Sequence, residues 1–148
     1  MLLPEKSKSI CLLILIFVCS ITVYSQNIKV LVTGIRSTQG QVIIKVYKDN
    51  ASFNKDKPFI TKKFIKSGIS KGEMAVNFTL ESGTYGLALL DDENKDNEMN
   101  YTFLGIPEEG FGFSNYYLSG LTKPTFDLFK FVLIKDQIQK IIIKIRYM

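Results

Sequence analysis

The sequence contains no histidine and no tryptophan, and its two cysteines, Cys11 and Cys19, both lie near the N-terminus. The remainder of the chain therefore lacks the commonest general base, the usual nucleophile–base pair, and the nitrogen and sulfur ligands of zinc sites. Catalysis there would have to use carboxylates, serine, lysine or tyrosine. Without cysteine no disulfide can form, so packing has to stabilise the fold.

The sequence has a single long apolar run, and it lies at the N-terminus. Lys6 and Lys8 precede apolar residues 10–18, and the small residue Ser25 follows a few positions later. This pattern is typical of a secretion signal, so we predict a signal peptide over residues 1–25 with cleavage after Ser25. The run is shorter than the roughly 20 apolar residues that cross a bilayer.

Two alternatives to a cleaved signal remain open. Cys19 could anchor a lipoprotein, although Val18 stands where lipoprotein processing requires a small residue. The apolar run could also stay attached as a membrane anchor. After cleavage we expect no stable membrane span, and residues 26–148 are predicted to form one domain in the periplasm or outside the cell.

The positive charge of the chain is modest and dispersed. Removing Lys6, Lys8 and Glu5 lowers the formal net charge of +5 by one. We interpret the remaining lysines of the loops and strand edges as solvated surface, and export makes nucleic acid an unsuitable partner. These lysines include Lys55, Lys57, Lys62, Lys63, Lys66 and Lys71.

Alternating apolar and polar residues predict an all-β domain with no long helix. About seven strands are expected, a number typical of a two-sheet antiparallel sandwich of the immunoglobulin-like or prealbumin-like kind. The predicted strands are residues 28–33, 42–47, 60–65, 74–80, 84–90, 126–134 and 139–147.

Three details of this pattern can be checked against a structure. Only turns at Gly34 and Gly40 separate the first two strands, which predicts a hairpin. Strand 84–90 carries small residues on one face, which is typical of a central strand that its neighbours approach closely. The aromatic spacing in 126–134 is compatible with a strand or with one or two helical turns.

A polar segment directly follows the predicted central strand and has the features of a calcium-binding loop. Asp92, Asn94, Asp96 and Asn100 could aim oxygens at one point, and Glu98 could add a backbone carbonyl. Either of two following residues, Glu108 or Glu109, could close the site from the next loop. The alternative is a solvated loop whose Asp and Asn side chains bond their own backbone in Asx-turns.

A second unusual segment, rich in glycine and aromatics, contains Phe111, Phe113, Tyr116 and Tyr117. These rings could form a stacking platform for a sugar or peptide, or could fold back and close one end of the sandwich. Ser114 within it is not in a nucleophile elbow, because that motif needs a glycine two residues away on each side and only Gly112 is present.

Much of the chain resembles the bacterial domain-of-unknown-function 2141 family. That family's acidic loop begins His-Asp-x-Asn; here Asp91 stands at the histidine position, and Lys95 and Asn97 replace glycines. The resemblance implies a secreted or envelope-associated β-sandwich of Gram-negative bacteria. It does not indicate which biochemical activity the protein has. It rests on Gly83-Thr84-Tyr85, Asp92-Glu93-Asn94, Asp96-Asn97, Asn100, the run from Leu104 to Asn115, and Pro124-Thr125-Phe126.

These observations favour an exported, non-enzymatic binding or scaffolding domain of the cell envelope, with calcium as its candidate ion. Its expected partner is an envelope protein or a glycan, and the sequence specifies no oligomeric state. The alternative is a small hydrolase that acts on envelope polysaccharide through Glu108 and Glu109, although adjacent side chains on an extended segment point apart. A third interpretation is an assembly partner that offers an edge strand.

Overall fold

A computed structural model describes residues 27–148 of the chain. The predicted signal peptide and its cleavage position lie outside the described residues. Within that range there are eight strands and two short helices: β1 (Ile28–Thr33), β2 (Gln41–Tyr47), α1 (Asn50–Asn54), β3 (Ile60–Ile65), β4 (Glu73–Phe78), β5 (Gly83–Asp92), β6 (Gly110–Phe113), α2 (Phe126–Phe129), β7 (Lys130–Leu133) and β8 (Gln139–Lys144).

The strands form two sheets, which confirms the predicted all-β sandwich. The first sheet has the order β4-β1-β8, and the second has the order β3-β2-β5-β6, with β7 pairing the start of β5 beside β6. All pairs are antiparallel except β1 with β8. The parallel pair arises because these strands come from opposite ends of the domain, where no short turn imposes opposite directions.

The predicted hairpin between the first two strands is wrong. β1 pairs with β4 and β8 in the first sheet, whereas β2 pairs with β3 and β5 in the second. The connection after β1 therefore crosses between sheets, so that the buried residues Val30 and Ile44 belong to opposing layers of one core. A short separation in sequence predicts a turn, but it does not determine whether the strands are neighbours or face each other.

The main core lies between the sheets and follows the predicted alternation. Val32 and Ile143 in the first sheet, and Ile44 and Leu87 in the second, are fully buried. Strand β4 alternates as expected between buried and exposed positions. This packing of two apolar faces supplies the stability that residues 27–148, which contain no cysteine, cannot obtain from disulfides among themselves.

A second apolar cluster covers the outer face of the second sheet. Helices α1 and α2 contribute Phe53, Phe126 and Phe129, which pack with Tyr47 and Phe113. The region 126–134 combines both predicted alternatives, since the helical turn α2 runs directly into β7. Neither α1 nor α2, the helices of residues 27–148, is long and apolar enough to span a membrane.

Strand β6 was missed by sequence reasoning because it is short and half glycine. A side chain at Gly112 would place its Cβ 2.6 Å from Cγ2 of Ile143, so glycine lets β6 lie against β8 of the other sheet. Strand β5 is central, as predicted, with β2 on one edge and both β6 and β7 on the other.

Replacing Gly86 with alanine should destabilise the domain. The new Cβ would lie 2.5 Å from Cε2 of Phe129 and 2.9 Å from Cε2 of Phe126, so the aromatic cluster has to move. We expect a loss of about 1–3 kcal/mol in the free energy of urea unfolding. Gly120→Ala is the control, because the space around Gly120 is open and its stability should stay within about 0.5 kcal/mol. Equal stability of the two variants would contradict this packing.

Candidate functional site

The predicted acidic segment begins inside the sheet, at the end of β5. Asp92 is the last residue of this strand and is completely buried. Its Oδ2 accepts hydrogen bonds from Nε2 of Gln41 on the neighbouring strand at 2.6 Å and from the backbone N–H of Asn97 at 3.1 Å. Its Oδ1 is buried and has no hydrogen-bond partner.

The loop after β5 is held by the Asx-type bonds that the sequence suggested as one alternative. Asn94 Oδ1 accepts from the N–H of Asp96, and Asp96 Oδ1 accepts from the N–H of Glu98, both at 2.9 Å. Lys95 and Asn97 adopt left-handed conformations with φ of 63° and 72°. The local turn geometry therefore turns the Asp96 side chain back toward Asn94 and Asn100, whose amides donate to Asp96 Oδ2 at 2.9 Å.

Glu109 joins this loop from the next segment, and the register of the sheet explains why. Leu90 pairs with Phe111 and Asp91 with Gly110, so the next position along the same ladder sets Glu109 opposite Asp92. Asp92, Asp96 and Glu109 each offer a carboxylate oxygen, and these three atoms lie within 4.8 Å of one another. We call these three residues the carboxylate cluster.

Burial makes this cluster electrostatically unfavourable without a cation. Glu109 is only 5% exposed, and its Oε1, like Oδ1 of Asp92, is buried without a partner. Its other oxygen accepts a long hydrogen bond of 3.5 Å from the N–H of Asn100. Burial, and then the charges of Asp92 and Asp96, raise the pKa of Glu109.

Asp96 differs from its two neighbours because it is exposed to solvent. The backbone hydrogen bond from Glu98, followed by the amide of Asn100, lowers the pKa of Asp96. The cluster therefore contains two unlike carboxylates. Hydrogen bonds favour the ionised form of Asp96, whereas the negative charge of Glu109 would be buried with only one long hydrogen bond to stabilise it. A divalent cation would neutralise both.

The structure brings together most of the predicted metal residues. Besides the cluster, Asn94 and Asn100 lie against Asp96, with Asn94 Nδ2 donating to Asn100 Oδ1 at 2.9 Å. Glu98 is exposed and takes part through its backbone N–H. Glu108 is also exposed, so its side chain diverges from that of Glu109, while its backbone N–H donates to the carbonyl of Asn100 at 3.0 Å.

The predicted aromatic residues do not share one environment. Phe113 is buried in the outer cluster, with Phe111 and Tyr116 packed against it. Tyr117 is half exposed, and Nζ of Lys144 lies 5.0 Å from its ring centroid. Most of these rings thus fold back on the sheet.

Comparison with known families assigns the chain at the level of the whole domain. Residues 30–141 match the family described as "Uncharacterized protein conserved in bacteria (DUF2141)". The chain belongs to the DUF2141 family. Comparisons with curated proteins and with solved structures gave no match.

In this DUF2141 chain, Asp91 forms a buried ion pair that sequence reasoning missed. Asp91 and Lys66 have fully buried side chains, and Nζ of Lys66 contacts Oδ1 of Asp91. The hydroxyl of Tyr147 donates to the other oxygen of Asp91 at 2.5 Å, and Lys66 also donates to the carbonyl of Ser37 at 3.0 Å. The interpretation of Lys66 as solvated surface is therefore wrong, and only the completed tertiary structure pairs it with Asp91.

The sequence did not predict that Arg36 and Gln41 lie beside the acidic loop, because no motif in their own segments indicates such a position. Arg36 lies beside the cluster and makes a two-bond contact with Glu93, at 3.1 and 2.7 Å. Hydrogen bonding to Arg36 lowers the pKa of Glu93. Glu93 is thus engaged by Arg36 and is not available to the cluster.

Removing Lys66 from its buried pair should strongly destabilise the DUF2141 domain. Lys66→Met leaves the charge of Asp91 buried with only Tyr147 as a side-chain donor, for which we expect a loss of about 3–5 kcal/mol. The matched control is Lys130→Met in the exposed pair with Asp127, where the expected loss is under about 1 kcal/mol. Urea unfolding measures both, and equal losses would be inconsistent with burial of Lys66.

Glu109→Gln should stabilise the ion-free domain at neutral pH. Because the pKa of Glu109 is raised on folding, the unfolded chain releases this proton first as the pH rises. Stability contributed by the protonated group is therefore lost with increasing pH above the ordinary range of glutamate. In chelator, the variant should gain about 1–3 kcal/mol at pH 7 and show a flatter decline in stability as the pH rises above the ordinary range of glutamate. Exposed Glu73→Gln is the control; a loss of stability in Glu109→Gln alone would oppose this assignment.

Proposed function

We propose that this DUF2141 chain is an exported, non-enzymatic binding or scaffolding domain of the bacterial cell envelope whose carboxylate cluster binds calcium. The observation that carries the proposal is the pair of buried, unpartnered carboxylate oxygens of Asp92 and Glu109, with Asp96 within reach. Buried charges in proteins are paired or coordinate metals. Here the described residues provide no protein cation within the cluster.

The chemistry of the surrounding atoms favours calcium over other metals. All candidate ligands are oxygens, from the three carboxylates and from the amides of Asn94 and Asn100. Calcium accepts 6–8 oxygen ligands at about 2.3–2.6 Å in flexible geometry, whereas magnesium requires a tighter octahedron. Side-chain rotation of the asparagines would expose their oxygens to the ion.

A bound ion would act as a clamp rather than as a catalytic centre. It would join the end of β5, the loop through Asp96, and Glu109 just before β6, and it would close the intervening segment 93–108 at both ends. Loops of this length that carry binding surfaces benefit from such fixation, because ordering them beforehand lowers the entropic cost of binding.

The N-terminal pattern and the composition of the chain support the proposed export and envelope location. The charged and apolar segments of residues 1–25 support a signal peptide. Calcium-binding modules of extracellular proteins have dissociation constants of about 10⁻⁴–10⁻³ M, so a site of modest affinity is compatible with export. The absence of histidine from the sequence supports a binding role over an enzymatic one.

The hydrolase alternative has one supporting observation, the raised pKa of Glu109, which is a feature of general acids. However, the arrangement of these carboxylates is unfavourable for hydrolysis of a glycosidic bond. Glu109 and Asp92 are buried whereas Glu108 is exposed, so Glu108 and Glu109 do not form a pair that faces across an open cleft. A glycosidase requires its two carboxylates on either side of an accessible glycosidic bond.

Thermal melting in chelator and in calcium tests the proposed site. The full chain, purified from cells that export it, should melt several degrees higher in about 10 mM calcium, because ligand at 100 times a dissociation constant of about 10⁻⁴ M adds about 2.7 kcal/mol. Asp92→Asn and Asp96→Asn should lose this increment, while Glu73→Gln should retain it. The increment is measured within each variant, so a change in baseline stability does not obscure it. No calcium-dependent increment in the unmodified chain would overturn the proposal.

A further inference from the structure

The outer face of the second sheet carries a groove that the calcium site does not use. Its volume is about 560 Å³, within the range of about 300–1,000 Å³ typical of small-molecule sites. Tyr47, Phe53 and Phe113 of the outer cluster line it, together with Ala88 of β5. The groove therefore has a packed aromatic floor.

Two loops form apolar walls above this floor. One is a tight hairpin in which Tyr101 bridges Pro107 and the N–H of Thr102 donates to the carbonyl of Ile106 at 2.9 Å. The other wall runs from Leu118 to Pro124. Large apolar residues on the walls are strongly exposed, with Leu104 at 70% and Leu121 at 84%. Contiguous exposed apolar surface of this kind marks a binding site.

The polar groups of the groove lie together and have a surplus of donors. Lys45, Asp56, Tyr47 and Lys123 all line it. Asp56 accepts from Nζ of Lys45 at 3.0 and 2.7 Å and from the hydroxyl of Tyr47 at 2.5 Å. Although burial opposes it, hydrogen bonding by Lys45 and Tyr47 lowers the pKa of Asp56, so this carboxylate is ionised and both of its oxygens accept hydrogen bonds.

The second lysine provides the unmatched charge. Nζ of Lys123 donates to the carbonyl of Phe53 at 3.0 Å and lies 4.1 Å from the centroid of the Phe53 ring. These contacts fix the ammonium group at the groove while leaving two of its three N–H donors free. With two ammonium groups and one carboxylate, this end of the groove is complementary to an anion.

We propose that the groove binds a free single-chain amphiphile, with its apolar chain between the two walls and an anionic head group, such as a carboxylate, at Lys123 and Lys45. A sugar would need hydrogen-bonding side chains along its length, but in this groove the charged side chains are gathered at Lys45, Asp56 and Lys123. The limited volume and closed aromatic floor favour one extracted molecule over a flat membrane surface.

Calorimetric titration with sodium dodecanoate, below its micellar concentration, tests this proposal. The full exported chain should bind one dodecanoate per protein, and dodecyltrimethylammonium, with the same chain and the opposite charge, should bind at least about tenfold more weakly. Lys123→Gln should weaken dodecanoate binding about tenfold, since it removes a charged hydrogen bond. Lys140→Gln, on the exposed face of β8, is the control and should bind as the unmodified chain does.

A second variant tests the position of the apolar chain. Ala88→Leu would fill the floor of the groove and should abolish binding of dodecanoate, with its melting temperature reporting whether the domain is folded. Absence of saturable dodecanoate binding, equal binding of the two head-group charges, or unchanged binding by Lys123→Gln would each overturn the proposal. Sedimentation with phosphatidylglycerol vesicles in the absence of dodecanoate binding would also overturn it, in favour of a membrane surface. None of these outcomes depends on calcium, so the two proposals fail separately.

Discussion

Two consecutive buried aspartates at the end of the central strand impose the main constraint on this structure. Successive residues of a strand point to opposite faces, so Asp91 faces the interior between the sheets and Asp92 faces the outer layer. Water is excluded from both side chains. Asp91 is compensated within the protein by Lys66 and Tyr147. Asp92 receives only part of its compensation from Gln41 and the loop, and it is opposed by Glu109.

This asymmetry distinguishes the Asp91 network from the carboxylate cluster around Asp92. The Asp91 network ties the end of β5 to Lys66 after β3 and to Tyr147 at the C-terminal end of the domain, and its charges balance without an ion. The cluster around Asp92 contains three carboxylates and no cation among the described residues. Like charges set directly opposite on paired strands are destabilising, so the register that places Glu109 beside Asp92 costs stability unless an ion binds there.

Much of the fold could be predicted because alternation reports directly which residues face the core. Alternation identified β1, β2, β4, β5 and β8, and the small residues on one face of β5 indicated its central position. The pairing of strands could be predicted less well. The β1–β8 pair and the crossing from β1 to β2 depend on contacts between residues that are far apart in the chain. β6 was not predicted because its glycines have low strand propensity and are required by close packing, of Gly112 against Ile143 and of Gly110 against Ile145 and Tyr147.

The same limit applies to the candidate site: its local features could be predicted, and its contacts between distant segments could not. The two-residue spacing of Asp92, Asn94 and Asp96 reflects a local turn and can be recognised in the sequence, whereas the choice of Glu109 over Glu108 depends on the β5–β6 register. Partners from distant segments, such as Lys66 and Gln41, carry no local signal of their role. Charged residues in a turn look solvated until the tertiary structure buries them.

The hairpin of residues 101–107 lies between the carboxylate cluster and the groove. Its two ends continue into Asn100 and Glu109 at the carboxylate cluster, while Tyr101, Leu104 and Ile106 form a wall of the groove. One small element is thus shared by two sites of unlike chemistry. Thermodynamic linkage then requires reciprocity: whatever factor an ion at the cluster applies to the affinity of the groove, an occupant of the groove applies to the affinity for the ion.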